Sequence, residues 1–375
     1  MRISKTWRLP AAVLAFGLIA TACSSDEPTD DPTEDTSTDD GAEDGDDPDD
    51  EGSTADGAGS TAQQVIDRGT LICGVSGQLA GFSLNDGSGS FAGLDVDYCK
   101  GVAAAVLGDA EAVEYVELTA ETRFTALQAG EVDLLSRNTT WTGSRDGELG
   151  LQFVEPTFYD GQGILVNDAD PAQSVEDMND YTVCVQTGTT TELNLETYFD
   201  RLGVSYSPIN VVDEAGVTEN FGNGSCQAYT TDKSGLASFA STYTGGDVRI
   251  LGDTLSKEPL GPAVRQGDDQ WYDIVNWVVI STFQAEEFGI DSSNVGSFDP
   301  GDNADVARFL GQEEGQTVGV GLGFPDEEWA VRVIESIGNY NEIYERNIVP
   351  IGIPAEGTPN QLWTEGGLHY PPPYR

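Results

Sequence analysis

From residue 70 onward, short apolar runs alternate with longer segments of helical periodicity. TLICGVS (70–76), AVEYVEL (112–118) and VDLLS (132–136) read as strands. Between them, GLDVDYCKGVAAAVLG (93–108) and ETRFTALQAG (121–130) read as helices, each stopped by glycine. After a loop around NDADPAQS (167–174) the alternation restarts. YTVCVQ, YSPINVV and CQAYTT are the strands; TTTELNLETYFDRLG, DEAGVTENFGNG and DKSGLASFAS are the intervening helices and turns. Strands separated by helices of this length imply βαβ units, hence parallel sheets covered on both faces. Two rounds of the pattern imply two α/β lobes.

Two longer apolar segments follow. WYDIVNWVVISTFQAEEFGI (271–290) has helical spacing and predicts one packed helix. DEEWAVRVIESIGNYNEIYERN (326–347) predicts another, with Trp329, Val333, Ile337, Tyr340 and Tyr344 on one face. A stripe of that kind is ordinarily core.

The first sixty residues follow other rules. Arg2, Lys5 and Arg8 precede the apolar stretch AAVLAFGLIA (11–20), which is too short to span a bilayer as a mature helix. Small residues then lead to Cys23. This resembles a bacterial lipoprotein signal (1–23) in which Cys23 carries the lipid; the alternative is an ordinary secretory signal with an incidental cysteine. Residues 24–60 hold 16 Asp and Glu, no Lys or Arg, and almost no apolar side chain. Such a segment cannot offset its ordering entropy by burial, and its like charges extend it, so it is expected to act as a disordered acidic tether.

Charge and cysteine content narrow the function classes. With 17 basic against 65 acidic residues, the net charge of −48 repels nucleic acid and anionic lipid headgroups. The acidity outside the tether suits a surface solvated at high salt. Apart from Cys23, four cysteines remain, which suits disulfides in an oxidising compartment and allows three pairings. Cys73 with Cys99 and Cys184 with Cys226 is the expected set, because each bridge then stays within one half of the chain. A metal site is disfavoured by long spacings, the absence of CxxC and a single histidine, His369.

Ligands of open α/β sheets bind beyond the carboxyl ends of strands. Three segments occupy such edges. LLSRNTTWTGSRD (134–146) places Arg137 and Arg145 among Asn138, three threonines and Trp141 in a chain with few cations. VQTGTTTEL (185–193) offers Gly188 and a Thr189/Glu192 capping box, whose helix start presents free N–H groups to an anion. CQAYTTDKSG puts Asp232 after a strand, where it is a ligand group or a plain helix cap.

Taken in order, these segments resemble the family 3 solute-binding proteins of bacterial amino-acid importers, within them the general L-amino-acid type. The likeness runs from about residue 62 to the C-terminus. It includes GTLICGVSGQLAGFSLND, RFTALQAGEVDLLSRNTTWTGSRD, VCVQTGTTTEL, SKEPLGPAVRQGDDQW and LWTEGGLHYPPPYR. The TAETRF segment departs from the expected version. The resemblance implies a two-lobed periplasmic-binding-protein type II fold of the α/β class, with parallel-rich sheets, flanking helices and a ligand cleft between lobes. Lobe 1 would comprise 61–167 joined with 254–375, and lobe 2 would comprise 168–253, with two chain crossings forming a hinge.

By the same resemblance, Arg145 grips the ligand α-carboxylate, Asn138 and Thr140 assist it, and Thr190 closes over it from the other lobe. Asp232 pairs with the ligand ammonium. Phe82 either stacks near the ligand or belongs to the core. Trp141 either walls the pocket or packs behind it, and Arg137 either meets an acidic ligand side chain, supports the site from behind the ligand-contacting groups, or is a surface cation. The expected protein is a monomeric, membrane-anchored, extracytoplasmic lipoprotein that captures free L-amino acids for the permease of an ABC transporter, without a cofactor or metal. Two other classes stay open. One is a sensory receptor domain. The other is a dehydratase-like enzyme on this fold, although no Ser/His/Asp set, GxSxG motif or P-loop is present.

Overall fold

The computed structural model describes residues 60–375. The signal segment, the lipidation expected at Cys23 and the acidic segment up to residue 59 lie outside the described residues. Ser60, expected at the end of the tether, instead accepts a hydrogen bond from the Gln63 backbone N–H and caps the helix Thr61–Arg68.

Two five-stranded sheets organise the described chain. The first runs Val113–Glu117, Leu71–Val75, Leu134–Leu135, Ala263–Arg265, Leu151–Phe153; its first three strands are parallel. The second repeats that arrangement as Tyr206–Val211, Tyr181–Gln186, Ala228–Asp232, Gln162–Asn167, Val248–Ile250. Neither sheet is wholly parallel, contrary to the simplest reading of the βαβ alternation. In each sheet one antiparallel strand abuts the parallel set: Ala263–Arg265 in the first and Gln162–Asn167 in the second. Both follow directly on a crossing between the sheets. A chain entering from the edge at which the parallel strands end must run against them. The second sheet therefore begins at Gln162, ahead of the 168 expected for the second lobe.

The crossings pair with each other. Phe158–Asp160 and Glu258–Leu260 form an antiparallel two-stranded ladder in which Asp160 lies opposite Glu258. The Asn360 side chain clasps it, accepting from Tyr159 N at 2.6 Å and donating to Tyr159 O at 3.1 Å, while the Tyr340 hydroxyl donates to Thr157 O.

The largest apolar core lies beside the first sheet. It joins the helices Leu94–Leu107, Asp269–Phe288 and Trp329–Ile337, so the chain beyond the second crossing thickens this lobe. The segment 326–347 is two helices rather than one. Gly338, at φ 82°, turns the backbone, and Asn339 starts Tyr340–Asn347 with a capping box to Glu342. The reciprocal bonds of that box satisfy amides that a continuous helix would have used internally. The expected stripe is nevertheless core, with Trp329, Val333, Ile337, Tyr340 and Tyr344 all buried. Both expected disulfides are formed: Cys73–Cys99 ties the first strand to the helix Leu94–Leu107, and Cys184–Cys226 joins two points of the second lobe.

Close packing of Leu94–Leu107 depends on Gly101. A Cβ there would stand 2.7 Å from Ile337 Cδ1 and 3.3 Å from Val278 Cγ1. Overpacking costs about 1–3 kcal/mol. Gly101→Leu is expected to lower the urea midpoint by an equivalent amount; an unchanged midpoint would show that the three-helix contact is not tight.

Candidate functional site

The facing edges of the two sheets build one cleft. The parallel strands of the first sheet end at Ser76, Leu118–Thr119 and Arg137–Asn138. Those of the second end at Gln186, Asp213–Glu214 and Thr231–Asp232. Residues from all six ends line the cleft. The lobes touch across it: a Cβ on Gly188, whose φ is 78°, would stand 3.1 Å from Glu121 Cα, and the Thr140 and Thr190 hydroxyls are 3.4 Å apart. Only glycine accommodates both that backbone conformation and that approach.

Three arginines come from the first lobe. Arg123 is buried; its NH1 donates to Thr139 Oγ1 at 3.1 Å, while its Nε is buried without a partner. Burial, then Arg137 and Arg145, push its guanidinium well below the usual range. Arg137 donates through Nε to Leu118 O at 2.7 Å. Arg145 donates through NH1 to Thr140 O at 2.6 Å and lies over the Phe124 ring. Burial brings the latter two down to about 10, so both stay cationic. Asn138, in the left-handed region at φ 31°, gives its backbone N–H to buried Asp95 at 2.8 Å. Asparagine tolerates that conformation better than most residues.

The second lobe answers with an acid. Asp232 stands at the N-cap position of Lys233–Thr242 but makes no capping bond. Asp160, from the ladder of crossings, instead accepts from Ser234 N at 3.1 Å. Asp232 is buried, and its Oδ1 has no partner. Burial and the nearby Asp160 and Glu258 carboxylates drive its pKa well above the usual range, against the pull of Arg123 and Arg145. The plain helix-cap alternative therefore fails on geometry. Beside it, Thr189 caps Thr190–Leu202 by accepting from Glu192 N, but the reciprocal Glu192 carboxylate takes Gly188 N, so only half of the expected box forms. Thr190 donates to Glu258 Oε2 at 2.8 Å, and Asn194 donates to Glu258 Oε1 at 2.9 Å.

Asn138, Thr140, Thr190 and Asp232 thus line one inner cavity, joined by Arg123 and Arg137. Arg145 adjoins it through Thr140. Phe82 does not reach it: the side chain is fully buried in the first lobe's core, edge-on to Phe158. Trp141 is also elsewhere, part-exposed, stacked on Phe153 and bonded to Asp146. Sequence reasoning missed Arg123, Asp95, Asp160 and Glu258. Arg123 offered one signal, as a cation just beyond a strand end in a chain poor in cations. The acids offered none: Asp160 and Glu258 meet only through the crossings, and Asp95 reaches Asn138 N from the helix Leu94–Leu107. Among the described residues, no group of three His, Cys, Asp or Glu is placed to hold a metal, and no helix is long and apolar enough to cross a membrane.

An inner cavity with arginines on one wall and an acid on the other complements a small zwitterion. Comparison with known proteins agrees with that chemistry. Residues 71–288 match the model of bacterial extracellular solute-binding proteins, family 3. The chain belongs to this family.

Within family 3, the general L-amino acid-binding periplasmic protein of Rhizobium johnstonii is 48% identical, over 84% of this chain and 93% of its own. The glutamate/glutamine/aspartate/asparagine-binding protein of Rhodobacter capsulatus is also 48% identical, over 84% of this chain and 94% of its own. A solved ABC transporter/periplasmic binding protein from Brucella ovis with glutathione bound is 42% identical. It superposes with a TM-score of 0.82, covering 85% of this chain and all of that one. The two-lobed type II architecture is therefore that of family 3 relatives.

The buried acids set the pH response of this family 3 member. Burial raises Asp95 and Asp160 to about 6 and Glu214 to about 7. Each binds its proton more tightly folded than unfolded. Its contribution to stability is therefore complete below the unfolded value near 4 and is lost as pH rises through 6 to 7. His369, held neutral by burial down to about 3, acts oppositely below about 6.5. The ligand-free protein is expected to gain stability from pH 8 to 6.5, read as a rising urea midpoint; a falling midpoint would contradict the burial of these acids. Asp232→Asn removes a buried, incompletely paired carboxylate and should stabilise the ligand-free protein by about 1–3 kcal/mol in the same assay.

Proposed function

We propose that this protein is an extracytoplasmic receptor that captures free L-amino acids by their zwitterionic head and delivers them to the permease of an ABC importer. One observation carries the reading. Arg123 Nε and Asp232 Oδ1, a guanidinium donor and a carboxyl oxygen whose charged forms burial disfavours until an opposite charge arrives, are both buried without partners on the walls of one cavity. Buried charges of this kind call for a ligand that supplies the opposite group to each. An α-carboxylate answers the arginines, with Arg145, Asn138 and Thr140 assisting on the first lobe. An α-ammonium answers Asp232, while Thr190 closes over the carboxylate from the helix start in the second lobe.

Closing by rotation about the paired crossings brings the two sets together. The segments 61–167 and 254–375 then move as one lobe against 168–253, apart from the entry strand noted above. Cys23 anchors the chain to the membrane as a lipoprotein, the acidic segment serves as a tether, and the receptor works as a monomer. The amino-acid-binding roles of the Rhizobium and Rhodobacter relatives support the amino-acid reading. A γ-glutamyl peptide carries the same zwitterionic head, and the Brucella relative holds glutathione. The cleft here continues outward into a cavity of about 360 Å³ past Asn85 and Thr218. Glutathione therefore belongs among the ligands to be tried.

Titration calorimetry of the protein, stripped of ligand by unfolding and refolding, is the test. Saturable one-to-one binding of several L-amino acids, with D-isomers as controls, is expected, and the ligand should be recovered unchanged. Binding of none would refute the reading, and turnover would replace it with an enzyme. Arg145→Ala should weaken all L-amino acids alike, by about 3–5 kcal/mol, because each presents the same buried carboxylate. Parental affinity in that variant would remove Arg145 from the site.

A further inference from the structure

Beyond the head-group cavity the cleft opens into a second space of about 180 Å³, which shares Arg137, Asn138, Gln186 and Thr231 with it. Its walls mix the apolar Leu79 and Leu118 with several polar and charged side chains. Glu214 opens the helix Glu214–Gly222 on the second lobe, and its carboxyl is held at one oxygen only. Oε1 accepts from the Tyr229 hydroxyl at 2.9 Å and from Gln186 Nε2 at 3.0 Å, while Oε2 is buried with no partner. Arg137 faces the same space from the first lobe. Its positive charge acts on Glu214, while Asp95 acts on Arg137 more strongly than Glu214 does.

We infer that Glu214 and Arg137 form a subsite for the terminal group of the ligand's side chain, and that the group they select is a carboxamide, as in glutamine or asparagine. This inference rests on the amino-acid reading above and adds the residue that discriminates among side chains. The argument is one of hydrogen-bond inventory. A carboxamide has both donors and an acceptor, so its NH₂ satisfies Glu214 Oε2 while its oxygen faces Arg137. A carboxylate has no donor; it leaves Oε2 unpartnered and meets a like charge. Asp213 and Glu117, which also line the space, add to that repulsion. An ammonium or guanidinium has no acceptor and confronts Arg137. Of these terminal groups the amide alone satisfies both walls; a hydroxyl also carries donor and acceptor but only one heavy atom to span them.

The discrimination depends on Glu214 being ionised. Burial raises it to about 7, against the Tyr229 and Gln186 hydrogen bonds and the Arg137 charge, with adjacent Asp213 adding a small upward push. Tyr229 stays neutral and Arg137 cationic across neutral pH. Once protonated, the Glu214 hydroxyl donates to a terminal carboxylate, so glutamate is admitted as pH falls. Asp95, raised to about 6, releases Arg137 in the same direction at lower pH. Substitution of Glu214 alone separates the two effects.

The experiment is calorimetric titration of the full-length, ligand-stripped protein and its Glu214→Gln variant with L-glutamine, L-glutamate and L-alanine, at pH 8 and pH 6. L-alanine, which has no terminal group, reports the head-group site in each protein. At pH 8 the parent is expected to prefer glutamine over glutamate at least tenfold. That preference should shrink several-fold at pH 6, and Glu214→Gln should reduce it at least tenfold at pH 8 and make it nearly independent of pH. Equal binding of glutamine and glutamate by the parent at pH 8, or the same preference in both proteins, would overturn the subsite while alanine binding left the amino-acid reading intact. Absence of binding by all three ligands would overturn both.

Discussion

The separation of buried opposite charges across the cleft governs the rest of this structure. Arg123, Arg137 and Arg145 stand on one lobe and Asp232 on the other, all withdrawn from solvent. Their desolvation is costly, and the protein leaves two of the polar atoms without partners of its own. An arrangement of that kind stores a preference for one class of ligand in the fold itself. It also explains the surrounding hydroxyls: Thr139, Thr189 and Thr190 each hold an arginine, a helix end or a neighbouring carboxylate in place. Removing any one of them would free a charged or capping group to turn away from the cavity.

The ladder of crossings ties this charge set to both lobes. Asp160 and Glu258 lie opposite each other in it, and both act electrostatically on Asp232. Asp160 caps the helix that carries Asp232, while Glu258 receives Thr190 and Asn194 from the helix beside it. The ladder therefore holds helix starts and charges of both lobes in one arrangement. The C-terminal segment supports the same strands from the first lobe through Asn360 and Tyr340. Residues far from the cavity in sequence thus set the geometry of its central acid.

Much of the architecture was legible because periodicity is local. Tyr181–Gln186 and Leu94–Leu107 follow directly from apolar spacing and a glycine stop. The failures have identifiable causes. Gly338 and Asn339 cut a stripe whose apolar face continues unbroken through both helices, so periodicity alone could not reveal the break. The antiparallel entry strands were hidden because strand direction depends on where the chain arrives from. Phe82 was ambiguous in sequence because an aromatic beside a cleft and one beneath it have the same neighbours in the chain; here it packs on Phe158.

The sequence by itself determined the two α/β lobes, the acidic character, an even set of four cysteines besides Cys23 and the edges at which Arg145, Asn138, Thr140, Thr190 and Asp232 sit. Each of these depends on composition, on spacing or on the end of a single strand. Only the tertiary structure decided which charges meet. Arg123, Asp160, Glu214 and Glu258 come from four separate stretches of the chain, and their roles arise when two sheets turn the ends of their parallel strands toward one another. Whether Asp232 caps a helix or waits for a ligand is likewise a matter of burial and of which neighbour takes Ser234 N. No spacing along the chain encodes that choice, because the competing acid arrives from the other side of the crossing.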